Sequence, residues 1–373
     1  MNSSVTKPAR FLYVTCQVGA EIAIKRELAG RWPGFRFAYS RPGFLTFKLP
    51  EDHNLADDFD LRSVFARAYG FSLGKATGRD VDHLAKEAWK LFGDGSARHI
   101  HVWERDTIGP GDQSFEPLIT PTALEAKAAL RQHCPLPGSL SDEDVDPNIP
   151  AGLGELVLDC VMVEPGEWWV GYHRTFSAAS RWPGGMIPLE LPAGTVSRAW
   201  LKMEEGLEWS KLPIGTGSRC LEIGSAPGGG SQSLLARGAL VTGIDPAAMD
   251  PVVLGHPNFK HIRRRVHDVS RSEFRKVRWI TADMNVAPKF TLDVVEEIVM
   301  HPETRVLGVL LTLKLLDWKL ASEVPRYIKR VRGWGYNLVR ARQLSFNRQE
   351  ICLYGRKKPH PKKIFRSGGR HFR

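Results

Sequence analysis

The stretch from Ser218 to Asp245 constrains the fold more than any other part of the chain. SRCLEI reads as an apolar strand, GSAPGGG as a glycine-rich turn, SQSLLARG as a short helix and ALVTGID as a second apolar strand. Such a run is a βαβ unit, which forces a parallel pairing and a right-handed crossover. The rhythm continues on both sides. Helix SRAWLKMEEGLEW precedes the unit; a short strand at HIRRR, strand VRWITAD, helix TLDVVEEIVM, strand RVLGVLLTLK and a long helix towards Arg332 follow it. Two last strands, YNLVRARQL and EICLYGRK, close the pattern. The prediction is an α/β fold, a doubly wound, mostly parallel sheet with an antiparallel edge.

The turn limits what the sheet can bind. No lysine follows its glycines, so it is not a P-loop. Ala226 holds the second glycine position of GxGxxG and Pro227 follows it, so the dinucleotide fingerprint fits poorly. What remains is a close backbone approach from Gly224 to Gly230, and Asp245 at the end of the next strand, placed to accept from ribose hydroxyls. A ligand with a ribose, an adenine and no phosphate suits this loop, which points to S-adenosyl-L-methionine; a dinucleotide and a purely structural turn stay open as alternatives.

Four further residues bear on chemistry. Lys202 lies on the helix before the first strand, Asp283 ends VRWITAD, Lys314 ends VLGVLLTLK and Glu350 opens the last strand. Ligands of doubly wound sheets sit at the carboxyl ends of the strands, where Asp283 and Lys314 should meet the glycine loop. Each has a plain alternative: Lys202 could pair with Glu205 on its own helix, and Asp283 could cap a helix. Together they suit attack by a ribose 2′-hydroxyl on a sulfonium methyl. One lysine beside another would have a lowered pKa, the carboxylates would hold the lysine heads, alignment would supply most of the rate, and no metal is needed.

The segments SRAWLKMEE, LEIGSAPGGGSQ, GID, VHDV, ITADM, LLTLKL and NRQEICLYGRK resemble the FtsJ (RrmJ) family of S-adenosylmethionine-dependent ribose 2′-O-methyltransferases. The resemblance implies a Lys-Asp-Lys-Glu catalytic tetrad at Lys202, Asp283, Lys314 and Glu350. It implies cofactor contacts at Gly224, Ser225, Ala226, Pro227, Gly228, Gly229, Asp245, Asp268 and Asp283, with Asp245 on the ribose and Asp268 on the adenine. One departure stands out: the family usually has an aromatic residue after the glycine pair, and this chain has Gly230.

Before residue 181 the chain is organised differently. FLYVT, helix AEIAIKRELAGRW and strands FRFAYS and FLTFKL resemble a ferredoxin-like module, expected over residues 1–75. Helix DVDHLAKEAWKLF, strand ARHIHVWER, helix TALEAKAALRQH and the pair ELVLDCVMV and EWWVGYHR resemble a THUMP RNA-binding module, expected over 76–180. A linker at 181–195, a Rossmann-like methyltransferase domain at 196–356 and a basic tail at 357–373 complete the expected order. The combination implies an RNA substrate, a cytidine ribose of large-subunit ribosomal RNA. The Pro/Asp-rich stretch between Pro135 and Gly154 reads as an exposed, mobile loop.

Charge agrees with an RNA partner. Of a net +11, eight Lys and Arg lie from Arg356 to the end with no acid among them, and KHIRRR forms a second cluster. Five scattered cysteines without a CxxC pair suggest neither disulfides nor zinc. His99 and His101 alternate on one strand face, but with no third ligand in sequence reach no metal site is expected. One of Trp168 and Trp169 should face the core. MNSSVTKPARFLYVT has no apolar signal core, so a cytoplasmic monomer with no membrane or DNA partner is expected. Rival readings are an inactive RNA-binding assembly factor with the same fold, a methyltransferase for another RNA and a nicotinamide oxidoreductase.

Overall fold

The computed structural model describes residues 9–109, 112 and 116–357. The basic tail expected at 357–373 lies outside them except for its first residue. The N-terminal region contains β1 (Phe11–Thr15), α1 (Glu21–Arg31), β2 (Arg36–Arg41), β3 (Phe44–Lys48), β4 (Ala68–Thr77), α2 (Val81–Phe92), β5 (His99–Glu104), α3 (Pro121–Gln132), β6 (Leu156–Glu164) and β7 (Glu167–Arg174). The C-terminal region contains α4 (Ala199–Ser210), β8 (Arg219–Ile223), α5 (Gly229–Ala236), β9 (Leu240–Ile244), α6 (Pro251–Leu254), β10 (Phe259–Ile262), β11 (Trp279–Asp283), α7 (Pro288–Val299), β12 (Gly308–Lys314), α8 (Val324–Gly333), β13 (Leu338–Arg342) and β14 (Glu350–Arg356). Among the described residues no helix is long and apolar enough to cross a membrane.

Each region is built on one seven-stranded sheet. The C-terminal order is β10-β9-β8-β11-β12-β14-β13, with every pair parallel up to β12 and β14 antiparallel to both its neighbours. This is the doubly wound sheet with an antiparallel edge that the apolar runs predict. Its central strands are buried on both faces: Leu221, Ile280, Val309 and Leu311 are fully inaccessible. Chain order reverses at β8, whose neighbours are β9 and β11, so the loops after β8 and β11 diverge there and open a crevice.

The N-terminal sheet runs β2-β3-β1-β4-β7-β6-β5 and is continuous. Strand β4, which the sequence pattern does not reveal, joins its halves by pairing with β1 on one side and β7 on the other. Two glycines hide it. Gly70 crosses so close to β7 that a Cβ would lie 2.6 Å from the Tyr172 carbonyl oxygen, and Gly74, at φ +131°, sits at a register shift. The boundary expected at 75/76 therefore falls inside a strand. Trp168 is buried and Trp169 stacks on Tyr39 at 5.3 Å on the opposite face, as alternation requires.

The Pro/Asp-rich loop is tied down rather than loose. Asp144 is buried within it, accepts from the Ile100 N–H at 3.0 Å and ion-pairs with Lys127 at 3.0 Å and Arg131 at 2.7 Å. Its carboxyl stays below the ordinary carboxylate range: burial works to raise it, and contacts with His99, Lys127 and the Ile100 N–H outweigh that. The segment expected to be a linker also packs. Gly184 lies against Trp103, and Gly185 passes the Arg67 carbonyl where no side chain fits.

The two regions lock together around buried charge. Arg67, on the N-terminal side, pairs with Asp106 at 3.1 Å and donates to the carbonyls of Ser345 and Asn347, both at 3.3 Å. Asp106 also receives Arg348 at 2.8 Å, and the Gln343 amide donates to Gln17 at 2.7 Å. Removing a buried carboxylate shared by two guanidiniums takes a counter-charge from both at once. Asp106→Ala is expected to lower stability by about 3–5 kcal/mol in urea unfolding; a change below about 1 kcal/mol would show the pairing to be incidental.

Candidate active site

The carboxyl ends of β8, β11 and β12 and the start of β14 surround the crevice, and α4 lies across one side of it. Ladder register brings the charged groups there. Lys314 is the cross-strand partner of Glu350, and Asp283 is paired with Thr312, two residues before Lys314. Helix α4 seats closely because Gly206 faces Leu310 and Cys352, where a Cβ would lie 3.2 and 3.4 Å away. That approach delivers Lys202 to the same point.

The four side chains form a ring of alternating charge. Lys202 Nζ lies 2.6 Å from Glu350 Oε1 and 3.9 Å from Asp283 Oδ2; Lys314 Nζ lies 2.5 Å from Glu350 Oε2 and 3.0 Å from Asp283 Oδ1. Glu350 is the most enclosed, its side chain 6% exposed, and Asn347 donates to it at 3.3 Å. The plain alternatives fail. Glu205 is buried and accepts from the Ser345 and Phe346 N–H groups, so it is no partner for Lys202. The next helix begins at Pro288 after Ala287, so Asp283 caps nothing.

One expectation is corrected. A lysine with a lowered pKa was expected from the proximity of two ammoniums, but each has carboxylates as its close neighbours. Burial works against the Lys314 ammonium, yet Glu350 and Asp283 outweigh it and hold the group above its ordinary range. Burial likewise works to raise the Glu350 carboxyl, and Lys202 with Lys314 holds it below the ordinary range. Lys314 and Glu350 therefore rest as a charged pair, and the ring's contacts fix them in position.

The glycine loop is a cradle in which side chains have no room. Gly224 has φ +79°, and a Cβ there would lie 2.7 Å from the Asp283 carbonyl oxygen; Gly228 has φ +125° and faces Val253; Gly229 faces Ser197. Pro227 stands exposed at the tip. Asp245, partly exposed at the end of β9, accepts from the Ala226 N–H at 3.1 Å and the Ala247 N–H at 2.8 Å, so it shapes the loop it was expected to serve. Ser225 turns inward, with its hydroxyl 3.6 Å from the Met249 sulfur, so only its backbone faces the cradle. Asp268 lies exposed on the short turn Val266–Asp268, beside His267 at 3.7 Å.

Sequence reasoning missed Glu222. Its side chain is buried beneath the loop, accepts from Ser231 and fills the space that a Cβ at Gly230 would need. Burial pushes its carboxyl up to about 8; Ser231 works the other way, and the charges of Asp283 and Asp245 add to the rise. The departure at Gly230 is thus the counterpart of a carboxyl rising from the strand below. The only available sequence signal was an acid inside an otherwise apolar strand. His99 and His101, expected to share a strand face, diverge in their partners. His99 Nε2 meets Glu155 at 2.7 Å, while His101 faces Asp159.

Residues 195–324 match the model of the FtsJ-like methyltransferase family. The chain is similar to the ribosomal RNA large subunit methyltransferase M of Laribacter hongkongensis, 28% identical over 188 residues, which cover 46% of this chain and 51% of that protein. The protein of that name from Halorhodospira halophila is 29% identical over 181 residues, 47% of this chain and 51% of the relative. That of Tolumonas auensis is 26% identical over 236 residues, 60% of this chain and 62% of the relative. The chain thus spans about half the length of the first curated relatives it matches.

Glu222 yields a signed pH test. Its carboxyl is near 4.5 when unfolded and about 8 when folded, so the folded state keeps a proton that the unfolded state loses. Its contribution is fully present below about 4.5 and is lost as pH rises through about 8. Glu222→Gln is therefore expected to flatten the fall in Tm across that window. Parallel Tm curves for the variant and the wild type would contradict the assignment.

Proposed function

We propose that this chain, whose residues 195–324 match the FtsJ-like methyltransferase family, is an enzyme that transfers a methyl group from S-adenosyl-L-methionine to a ribose 2′-hydroxyl of RNA. The observation that carries the proposal is the closed ring of Lys202, Asp283, Lys314 and Glu350 beside a glycine cradle that has no lysine for phosphate. The large-subunit ribosomal RNA is the substrate, with a cytidine as acceptor, a reading supported by relatives named for that subunit and by the order of the sequence elements. The N-terminal sheet, read as ferredoxin-like and THUMP-like, docks the RNA, and the protein works as a monomer in the cytoplasm.

The cradle suits the methyl donor for physical reasons. Gly224 and Gly228 leave backbone where side chains would obstruct a ligand, and Asp245 offers a carboxylate at ribose distance along the sequence. S-adenosyl-L-methionine supplies a methyl group already activated by its sulfonium charge. The chain's own task is then alignment and handling of one proton. Lys314 donates to the 2′-oxygen and orients it. Glu350 holds both ammoniums so that neither swings away. Asp283 Oδ2, at 3.9 Å from Lys202, lies beyond hydrogen-bond distance of that ammonium and takes the hydroxyl proton as the new C–O bond forms and the methyl C–S bond breaks, the neutral thioether leaving.

Lys314→Met is expected to lower methyl transfer by about 100-fold or more while leaving binding of the methyl donor unchanged, measured by single-turnover labelling and calorimetry. A map of ribose methylation in large-subunit RNA, with and without this gene, is expected to lose one cytidine position. Full activity of the Lys314 variant, or no lost position in any stable RNA, would overturn the proposal.

A further inference from the structure

Away from the crevice, three buried side chains on the N-terminal sheet share one face. His101 on β5 pairs directly with Asp159 on β6 in the parallel ladder. His173 on β7 pairs with Val157, two residues before Asp159, so it lies diagonally beside that carboxylate. One ligand atom from each falls within 4.8 Å of the others, and all three residues are buried. No sequence spacing announces this group, because three strands contribute one residue each.

The hydrogen bonding around the group is incomplete in a particular way. His101 Nδ1 and Asp159 Oδ1 are buried, lie outside hydrogen-bond geometry with any described residue and face each other 3.9 Å apart; the buried Tyr13 hydroxyl stands beside the same carboxylate. That gap is too wide for a hydrogen bond, yet shorter than two metal–ligand bonds of about 2.0–2.1 Å laid end to end. Two stranded buried polar atoms carry a desolvation cost that a cation between them would remove.

His173 is arranged as metal-bound histidines are. Its Nε2 donates to the Ser180 carbonyl at 2.7 Å, which leaves Nδ1 turned inward, 2.6 Å from Asp159 Oδ2. A nitrogen and a carboxylate oxygen at that distance need a positive charge between or upon them. Without metal a proton serves, held between His173 Nδ1 and Asp159 Oδ2. His101 Nδ1, which no donor occupies among the described residues, faces the same carboxylate. Of the cations nearby, Lys127 is paired with Asp144 at 3.0 Å and Arg67 with Asp106 at 3.1 Å, and Arg342 borders the same cavity as the three residues. A cavity of about 20 Å³ borders His101, Asp159 and His173 under Phe176, Ser177 and Trp182, enough for one water as a fourth ligand.

We infer that His101, Asp159 and His173 form a binding site for one divalent transition-metal ion of the zinc class. On binding, the ion takes bonds from His101 Nδ1, an Asp159 oxygen and His173 Nδ1, and the proton shared by His173 and Asp159 leaves to solvent. Two imidazoles and one carboxylate suit zinc better than magnesium or calcium. The ion would fasten β5, β6 and β7 to the segment after β7 through the Ser180 carbonyl.

The test uses the full chain, stripped with chelator and then incubated with zinc sulfate or cobalt chloride. Metal retained through gel filtration is counted by atomic emission, and cobalt absorption reports the ligand field. The wild type is expected to retain one equivalent, to rise in Tm with zinc, and to give a tetrahedral-type cobalt spectrum. His101→Phe, which removes a ligand but breaks no hydrogen bond of Nδ1, should fold, lose the equivalent and lose the zinc-dependent Tm rise. His99→Asn, bordering the group but outside it, should keep all three. Retention below about a tenth of an equivalent by the wild type, or equal retention by His101→Phe, overturns the inference.

Discussion

Everything in the crevice depends on the Glu350 carboxylate, which is almost wholly enclosed and sits between two ammoniums. Two lysines brought together without it would repel each other and pay a desolvation penalty. With it, and with Asp283 closing the ring, their attraction fixes four structural elements relative to one another: α4, β11, β12 and β14. The antiparallel edge is therefore more than a cover for the sheet. Running β14 against β12 is what sets Glu350 opposite Lys314 at the crevice; a parallel strand would enter from the far end.

The loop that leads into Glu350 is held from outside its own sheet. Arg67 takes the carbonyls of Ser345 and Asn347, Arg348 reaches Asp106, and Asn347 touches Glu350 itself. Glu205, inside α4, receives the N–H groups of Ser345 and Phe346 from the other side. The N-terminal region thus does more than extend the surface. Its buried charges fix the backbone that carries the most enclosed acid of the ring, so the packing of one region and the geometry of the other share a mechanical path through residues 343–349.

Much of this was legible in the sequence, for identifiable reasons. The βαβ rhythm after residue 195, the broken dinucleotide motif and the order of Lys202, Asp283, Lys314 and Glu350 follow from local periodicity and from the rule that strand ends carry ligands. What stayed hidden depends on proximity across strands. Strand β4 escaped because Gly70 and Gly74 dilute its alternation where neighbours crowd the backbone. Asp144, in a stretch that reads as loose loop, turned out to be a buried anchor for two cations. The direction in which a lysine of the ring shifts is not legible either, because composition gives the lysines but not which charges lie nearest them. His101, Asp159 and His173 are far apart in sequence and meet only through the ladder.

The exchange of space between Gly230 and Glu222 limits what either position can become alone. A side chain at position 230 and a long acid at position 222 compete for one volume beneath the glycine cradle. In this chain a side chain at 230 has to push the Glu222 carboxyl out of its buried seat, and a shorter residue at 222 leaves a hollow under Gly230. The two positions are thus sterically coupled. The glycine that looks like a missing residue marks a second, self-consistent way of building the floor under the same loop.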